Sequence, residues 1–385
     1  MITRILKVNR DFNRNLTQST RLLAGSAALL AGSVALAQPQ YSVTDLGVLP
    51  GYSLSVANNL NDQGDVVGYC ATDGSFSSTA AVAWRNGAIV KLGKLSGGIY
   101  SSASAINSLG VVVGDGDTGN YRPQSWITTA AGLYNFFPNN GGNTHALFVS
   151  DAGAIGGYYT KSLSGNTSSW RGSVWTPDLK DPRKYRQQDL PILVGLDPNF
   201  KGTTALPMAF NTAGQAAGYA VNEVIGQHAC FWNNDSTRSI VDLGTLPGDG
   251  SSIAWGMNGF GQVAGESHPP FSSRPVIWNN DPARTPVELA VLPGDNYGSA
   301  TTINNLGHVL GSSALSQPGT WNVGPARLVV WRDGGVFELQ SLLDPATGAG
   351  WTLVKVSALN NLGQIVGLGM HHGQNRAFIL TPISR

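Results

Sequence analysis

Charged side chains are scarce in this chain. Asp, Glu, Lys and Arg together make up 12% of it, and 24 basic residues face 23 acidic ones. No surplus of positive charge is available to neutralise a phosphate backbone, so nucleic acid is excluded as a partner. Cysteine is almost absent. Cys70 and Cys230 are the only two, and they fall at different positions within an internal repeat. A disulfide needs Cα atoms within about 7 Å, so both are expected to be free. Histidine is sparse and scattered, at His145, His228, His268, His308, His371 and His372, with no His-x-x-x-His spacing for a metal. His371-His372 is expected in a loop, its two rings pointing apart. No Gly-x-Ser-x-Gly elbow offers a nucleophile. The sequence therefore predicts no catalytic constellation, no metal site and no cofactor.

Long apolar runs are missing as well, with one exception near the N-terminus. Arg4, Lys7, Arg10, Arg14 and Arg21 precede an apolar stretch from Leu22 to Val34, and Ala35-Leu36-Ala37 follows. The stretch is shorter than the roughly 20 residues of a spanning helix. Basic flank, short apolar centre and small-x-small end fit a cleavable signal peptide over 1–37, with Gln38 as the mature start. The expectation is a secreted or periplasmic protein without stable membrane insertion after cleavage.

What the chain has in abundance is glycine (49 residues), with 20 prolines and 10 tryptophans. This mixture suits short strands joined by tight turns around a bulky core. The glycines also mark a repeat. Asn61-Asp-Gln-Gly64-Asp-Val-Val-Gly68 recurs as Asn107…Gly114, Ser150…Gly157, Asn211…Gly218, Asn258…Gly265, Asn304…Gly311 and Asn360…Gly367, the final glycines 43 to 61 residues apart. A period of this size signals a repeat architecture.

Each of the seven copies holds four strand-like segments. Segment a ends in tryptophan, as in Ala81-Val-Ala-Trp84. Segment b carries Asp-Leu-Gly, as in Ile240-Val-Asp-Leu-Gly244. Segment c runs into the asparagine, and segment d is the apolar run between the motif glycines. Asn86-Gly87 predicts a type I′ turn between a and b, and Asn-x-x-Gly a tight reversal between c and d. The crossing between units then lies at b–c or d–a. The mature chain begins with a b segment, Tyr41 to Gly47, and ends with an a segment, Arg376 to Leu380. Seven complete units form only if these ends pair. The prediction is an all-β fold over 38–385, a single-domain β-propeller of seven four-stranded blades closed between its terminal strands. The alternative is an open β-solenoid, which would leave both terminal segments unpaired.

A base stands four residues before most of the tryptophans (Arg122, Arg171, His228, Arg274, Arg327), and Arg376 holds that place in the last copy. Acids at the matching b position (Asp189, Asp242, Glu288, Glu338 and, across the closure, Asp45) predict structural cross-strand pairs.

The units resemble the bacterial extracellular repeat family named for its His-Ala-Phe motif (HAF repeat). Asp45-Leu-Gly-Val-Leu-Pro-Gly51, Asp242-Leu-Gly-Thr-Leu-Pro-Gly248 and the Asn-x-x-Gly motifs carry the resemblance over nearly all of the mature chain. The namesake tripeptide survives in altered form as His228-Ala-Cys230 and Arg376-Ala-Phe378. The resemblance implies export and a repeat structure, and no established activity. Copies three and four depart furthest.

Six tryptophans (Trp84, Trp126, Trp175, Trp232, Trp278, Trp331) share one repeat position and are expected in the core. Trp255 sits in segment c, where other copies have Asn58, Ser104, Leu147, Met208, Thr301 and Ser357. Trp170 and Trp321 are expected in d–a connections and Trp351 in a b–c connection. Strand parity puts both kinds of connection on one end of the fold, with most of the variable loops. Trp170, Trp321 and Trp351 are therefore the candidate binding residues. Asp115-Gly-Asp117-Thr-Gly119-Asn120 lacks the distal glutamate of a calcium loop and is expected to be a turn. The function these features favour is an exported, non-catalytic binding module for a glycan or another surface protein. An extracellular polymer hydrolase or lyase, and a structural surface protein, are the alternatives.

Overall fold

The computed structural model describes residues 41–72, 79–120, 122–136, 143–162, 168–181, 184–193, 204–222, 226–320 and 322–383. The expected signal segment 1–37 and Gln38 lie outside them. The described residues form one compact unit, built as a β-propeller.

In the first sheet the strands lie in the order c (Leu54–Leu60), d (Val66–Ala71), a (Ala80–Arg85), b (Ala88–Gly93). The same antiparallel c-d-a-b order recurs in every copy, so the chain crosses to the next sheet at b–c. The third and fourth sheets are joined into one by a single parallel bridge, Arg171 to Ala205. The c strands (Leu54–Leu60, Ser101–Ile106, Thr144–Val149, Thr204–Phe210, Ser251–Met257, Tyr297–Ile303 and Trp351–Leu359) touch one another in succession, and the last touches the first. They surround the axis, and the b strands lie outermost. In the seventh sheet Tyr41–Asp45 supplies the b strand, paired antiparallel with Gln374–Pro382 from Tyr41↔Pro382 to Asp45↔Phe378. The terminal strands thus meet as the split hairpin required, and the open solenoid does not describe this arrangement.

The motif works through one bulge. In all seven c–d pairs the register slips at the same place on the c strand, with extra residues 58, 104, 147, 208, 255, 301 and 357, and the longer seventh pair slips a second time at 354. The mixed position in segment c is therefore a β-bulge. The final motif glycine lies opposite it: a Cβ on Gly68 would run into the Val56 carbonyl oxygen, and each of the other six copies meets an equivalent carbonyl.

The motif asparagine stitches the sheets together. Asn61 Oδ1 accepts from the N–H groups of Gln63 and Asp65 in its own turn, while Nδ2 donates to the Asn107 carbonyl of the next sheet at 3.1 Å. The chain of amides continues from Asn107 to Ser150, Asn211 to Asn258, Asn258 to Asn304 and Asn304 to Asn360. Asn360 then donates to the Asn61 carbonyl at 3.1 Å. The chain is interrupted at Ser150, which has no amide with which to reach Asn211.

The six repeated tryptophans are core as expected, with Trp126, Trp175, Trp232 and Trp278 fully buried. Each removes about 150–250 Å² from water, which is about 4–6 kcal/mol of transfer free energy. Leu246 and Leu292 of the Leu-Pro-Gly loops are buried beside them. Both cysteines are buried and free.

The charge pairs hold in part. His228 meets Asp242 at 3.0 Å, Arg274 meets Glu288 at 3.1 Å, and Arg327 meets Glu338 at 3.7 Å. Arg274 and Arg327 lie closer still to Asp249 (2.7 Å) and Asp295 (2.8 Å), which follow the Leu-Pro-Gly turns. The expected closure pair is corrected. Arg376 donates to the Ser53 carbonyl at 2.8 Å, and Asp45 is taken by His371 at 3.1 Å.

Candidate functional site

The residue after the final motif glycine is tyrosine in three sheets (Tyr69, Tyr158, Tyr219) and differs in the others: Asp115, Glu266, Ser312 and Leu368. This d-strand position lies toward the loop-rich end, where the d–a and b–c connections emerge. At Asp115 it reaches the next sheet. Asp115 Oδ2 lies 2.8 Å from His145 Nδ1, and Oδ1 accepts from Ser125 Oγ (3.0 Å) and the Ala146 N–H (3.2 Å). Both side chains keep solvent access, 22% for His145 and 18% for Asp115. A carboxylate only accepts, so His145 Nδ1 carries the proton, and Nε2 is the acceptor of the neutral ring.

Aromatic rings wall this pair. The His145 ring centroid is 4.8 Å from Tyr158 and 5.8 Å from Trp170, and Tyr158 meets Trp170 edge-on at 5.3 Å. Burial, then the charges of Asp115 and Asp117, push the Tyr100 hydroxyl up to about 12. Burial, then Asp115 and Tyr219, raise Tyr158 as well. These phenols therefore stay protonated and serve as hydrogen-bonding groups. Ser125 donates to Asp115, which leaves the pair without the nucleophile–base geometry of an acyl-transfer triad.

Glu266 occupies the same repeat position in the fifth sheet and is spent internally. It accepts from Trp255 Nε1 (2.6 Å) and Ser273 Oγ (2.8 Å) and lies 3.7 Å from His268. Asp117 is likewise committed, to the N–H groups of Ile99, Tyr100 and Gly119, the turn expected of that loop. Among the described residues no three His, Cys, Asp or Glu side chains gather as a metal set.

The three tryptophans proposed from sequence part company. Trp170 joins the Asp115–His145 cluster, half-buried, within strand a (Ser168–Pro177) rather than in a connection. Trp351 is corrected. It is the first residue of its c strand and 6% exposed, stacked on His371 at 4.5 Å and packed edge-on to Phe378 at 6.0 Å. Its ring is core because the seventh sheet extends its c strand into what reads as a loop. Trp321 lies outside the described residues. The paired histidines also differ from expectation: His371 ends strand d, and His372 adopts φ 48°, so the turn brings their rings to 4.4 Å. Sequence reasoning missed Asp115 and His145 as partners. The available signal was an acid and a histidine in adjacent copies, each at a position where most other copies are neither.

No protein-family model matches the chain, and no curated protein matches it in sequence. Among solved structures it is similar to an acylaminoacyl peptidase of Pyrococcus horikoshii (TM-score 0.50, 11% identity, covering 89% of this chain and 54% of that one). It is also similar to the β-propeller domain of the Trilobed protease of Pyrococcus furiosus (TM-score 0.49, 10% identity, 86% and 94%). A lectin of Aleuria aurantia in complex with Fucα1-6GlcNAc matches at a TM-score of 0.36 and 13% identity, over 75% and 96%. The chain spans about half the length of the peptidase. At these identities the likeness extends to the fold alone.

Proposed function

We propose that this propeller is an exported, non-catalytic binding module that takes a glycan on its loop-rich end, at Trp170, Tyr158, Asp115 and His145. The observation that carries the reading is the half-exposed Tyr158–Trp170 corner beside an acid–histidine pair. Sugar rings present apolar faces that pack on such indole and phenol surfaces. His145 Nε2 and the protonated tyrosines stand ready for the hydroxyl groups around a ring. Export rests on the basic, apolar and small-x-small order of residues 4–37, and the repeat-family resemblance on the Asp-Leu-Gly and Asn-x-x-Gly motifs.

The test is a glycan array followed by calorimetry on any saccharide that binds. Trp170→Ala is expected to weaken binding by about 1–3 kcal/mol, the scale for removing a large apolar contact, with the melting temperature nearly unchanged. An unchanged affinity would remove the site. The Asp115–His145 pair favours one second reading, a polymer-degrading enzyme with His145 as general base toward water. Release of reducing ends from a bound polysaccharide, abolished by His145→Gln, would establish that reading instead.

A further inference from the structure

A separate concavity opens at the opposite, hairpin end, between the third and fourth sheets. It is a cleft of about 510 Å³ whose lining includes Phe148, Val174, Phe210, Thr212, Asn234 and Arg238. It coincides with the break in the asparagine chain at Ser150. Two further local departures shape it. Gly156 stands where other sheets carry Val67, Val113, Ala217, Ala264, Leu310 and Val366. The Phe210 ring moves into that space, 2.6 Å from where a Cβ would be, and stacks on Phe148 at 5.7 Å.

The next joint shows what is missing. Between the fourth and fifth sheets, Arg284 donates to the Gly261 carbonyl at 2.7 Å, and its guanidinium lies 3.9 Å from the centre of the Phe231 ring. Arg238 is its repeat equivalent, six residues after its tryptophan. It has the same left-handed backbone (φ 54° against 49°) and donates to the matching Gly214 carbonyl at 2.6 Å. The residue before the preceding sheet's tryptophan, which is Phe231 in one joint, is Val174 in the other. Where the fifth sheet's arginine covers an aromatic ring, the fourth sheet's arginine borders an open cleft.

We propose that this cleft binds a small planar aromatic alcohol, a phenol of one or two rings. Its ring would sit between Val174 and the Arg238 guanidinium as Phe231 sits under Arg284, a cation–π contact. Phe148 and Phe210 form the wall, and Thr212 and Asn234 place polar groups at the edge for the hydroxyl. The volume falls within the range of small-molecule sites, roughly 300–1,000 Å³.

The test uses 2-naphthol as probe, titrated into the full-length protein by calorimetry and by ligand-observed NMR. Saturable one-to-one binding is expected. Val174→Phe rebuilds the neighbouring joint inside the cleft, so it should cut affinity by about tenfold or more while keeping or raising the melting temperature. Trp170→Ala, on the other end, should leave 2-naphthol binding unchanged. Should Val174→Phe fail to fold, Phe148→Ala reads the same site by removing its wall, and binding must weaken there. Absence of saturable binding, or wild-type affinity in the folded cleft variant, overturns the proposal.

Discussion

One asparagine side chain does two jobs at the end of six of the seven c strands. Its oxygen caps the turn and its amide reaches the next sheet, which is why aspartate or serine cannot replace it fully: neither has the amide donors. Where serine stands, at residue 150, the contact lapses and a cleft opens. Carboxylates show the same economy. Burial alone would raise the Glu266 carboxyl, but the neighbouring His268 and hydrogen bonds from Ser273 and Trp255 outweigh it, and the group titrates below its usual range. A depressed native pKa means stability that is fully present above the unfolded value of about 4.3 and lost as pH falls through the lower native value. Glu266→Gln should therefore melt below the wild type at neutral pH, and the gap should narrow on acidification below about pH 4. Melting temperature against pH for both proteins checks this, and a gap of constant size would contradict it.

At the level of the element, the c–d hairpin owes its form to a match between a bulge on one strand and a glycine on the other. Gly218→Ala would push a methyl group into the Leu206 carbonyl and the Pro207 backbone, forcing the hairpin apart. A cost of about 1–3 kcal/mol is expected for such overpacking. Gly250 has open space around it and no left-handed backbone, so Gly250→Ala should be close to neutral. Denaturant unfolding of the two variants checks the contrast, and equal midpoints would deny the bulge its role. The same hairpin explains exposed apolar residues that no core requires. Leu109, Phe260, Leu306 and Leu362 all occupy the third place of the Asn-x-x-Gly turn and are 60–70% exposed, because that residue points out from the reversal.

For the whole molecule, the split seventh sheet is the critical joint. Tyr41 and Val43 are buried with Phe378 and Leu380 in one cluster, and the strand they belong to pairs with Gln374–Pro382. Asn360 and Asn361 reach Asn61 and Asp62 across the same joint. Deleting Tyr41 to Gly47 would expose that cluster and leave backbone groups unmet, at about 1–3 kcal/mol for each buried one. Cooperative loss of the fold is expected. A truncated protein that melted like the parent, followed by circular dichroism, would show that the terminal strand is dispensable.

The seven units, their four strands, the hairpins at Asn86-Gly87 and the Asn-x-x-Gly turns, and the tryptophan core were legible in the chain itself. Each depends on neighbours a few residues apart or on alternation along one strand, and the repeat states the same information several times over. The pairing of chain ends was legible too, because a b segment without its a segment has one available partner. Which connection crosses between sheets was not, since b–c and d–a are equivalent until the d and a strands are seen side by side. Nor was the meeting of Asp115 with His145, the burial of Trp351, or the choice of His371 over Arg376 by Asp45. Those depend on distances between side chains of different strands and sheets, which change by several ångströms with one bulge or one extended strand. The cleft beside Arg238 is the same kind of fact: Phe148, Val174, Phe210 and Arg238 line it from different strands and sheets, and only packing decides what lies opposite what.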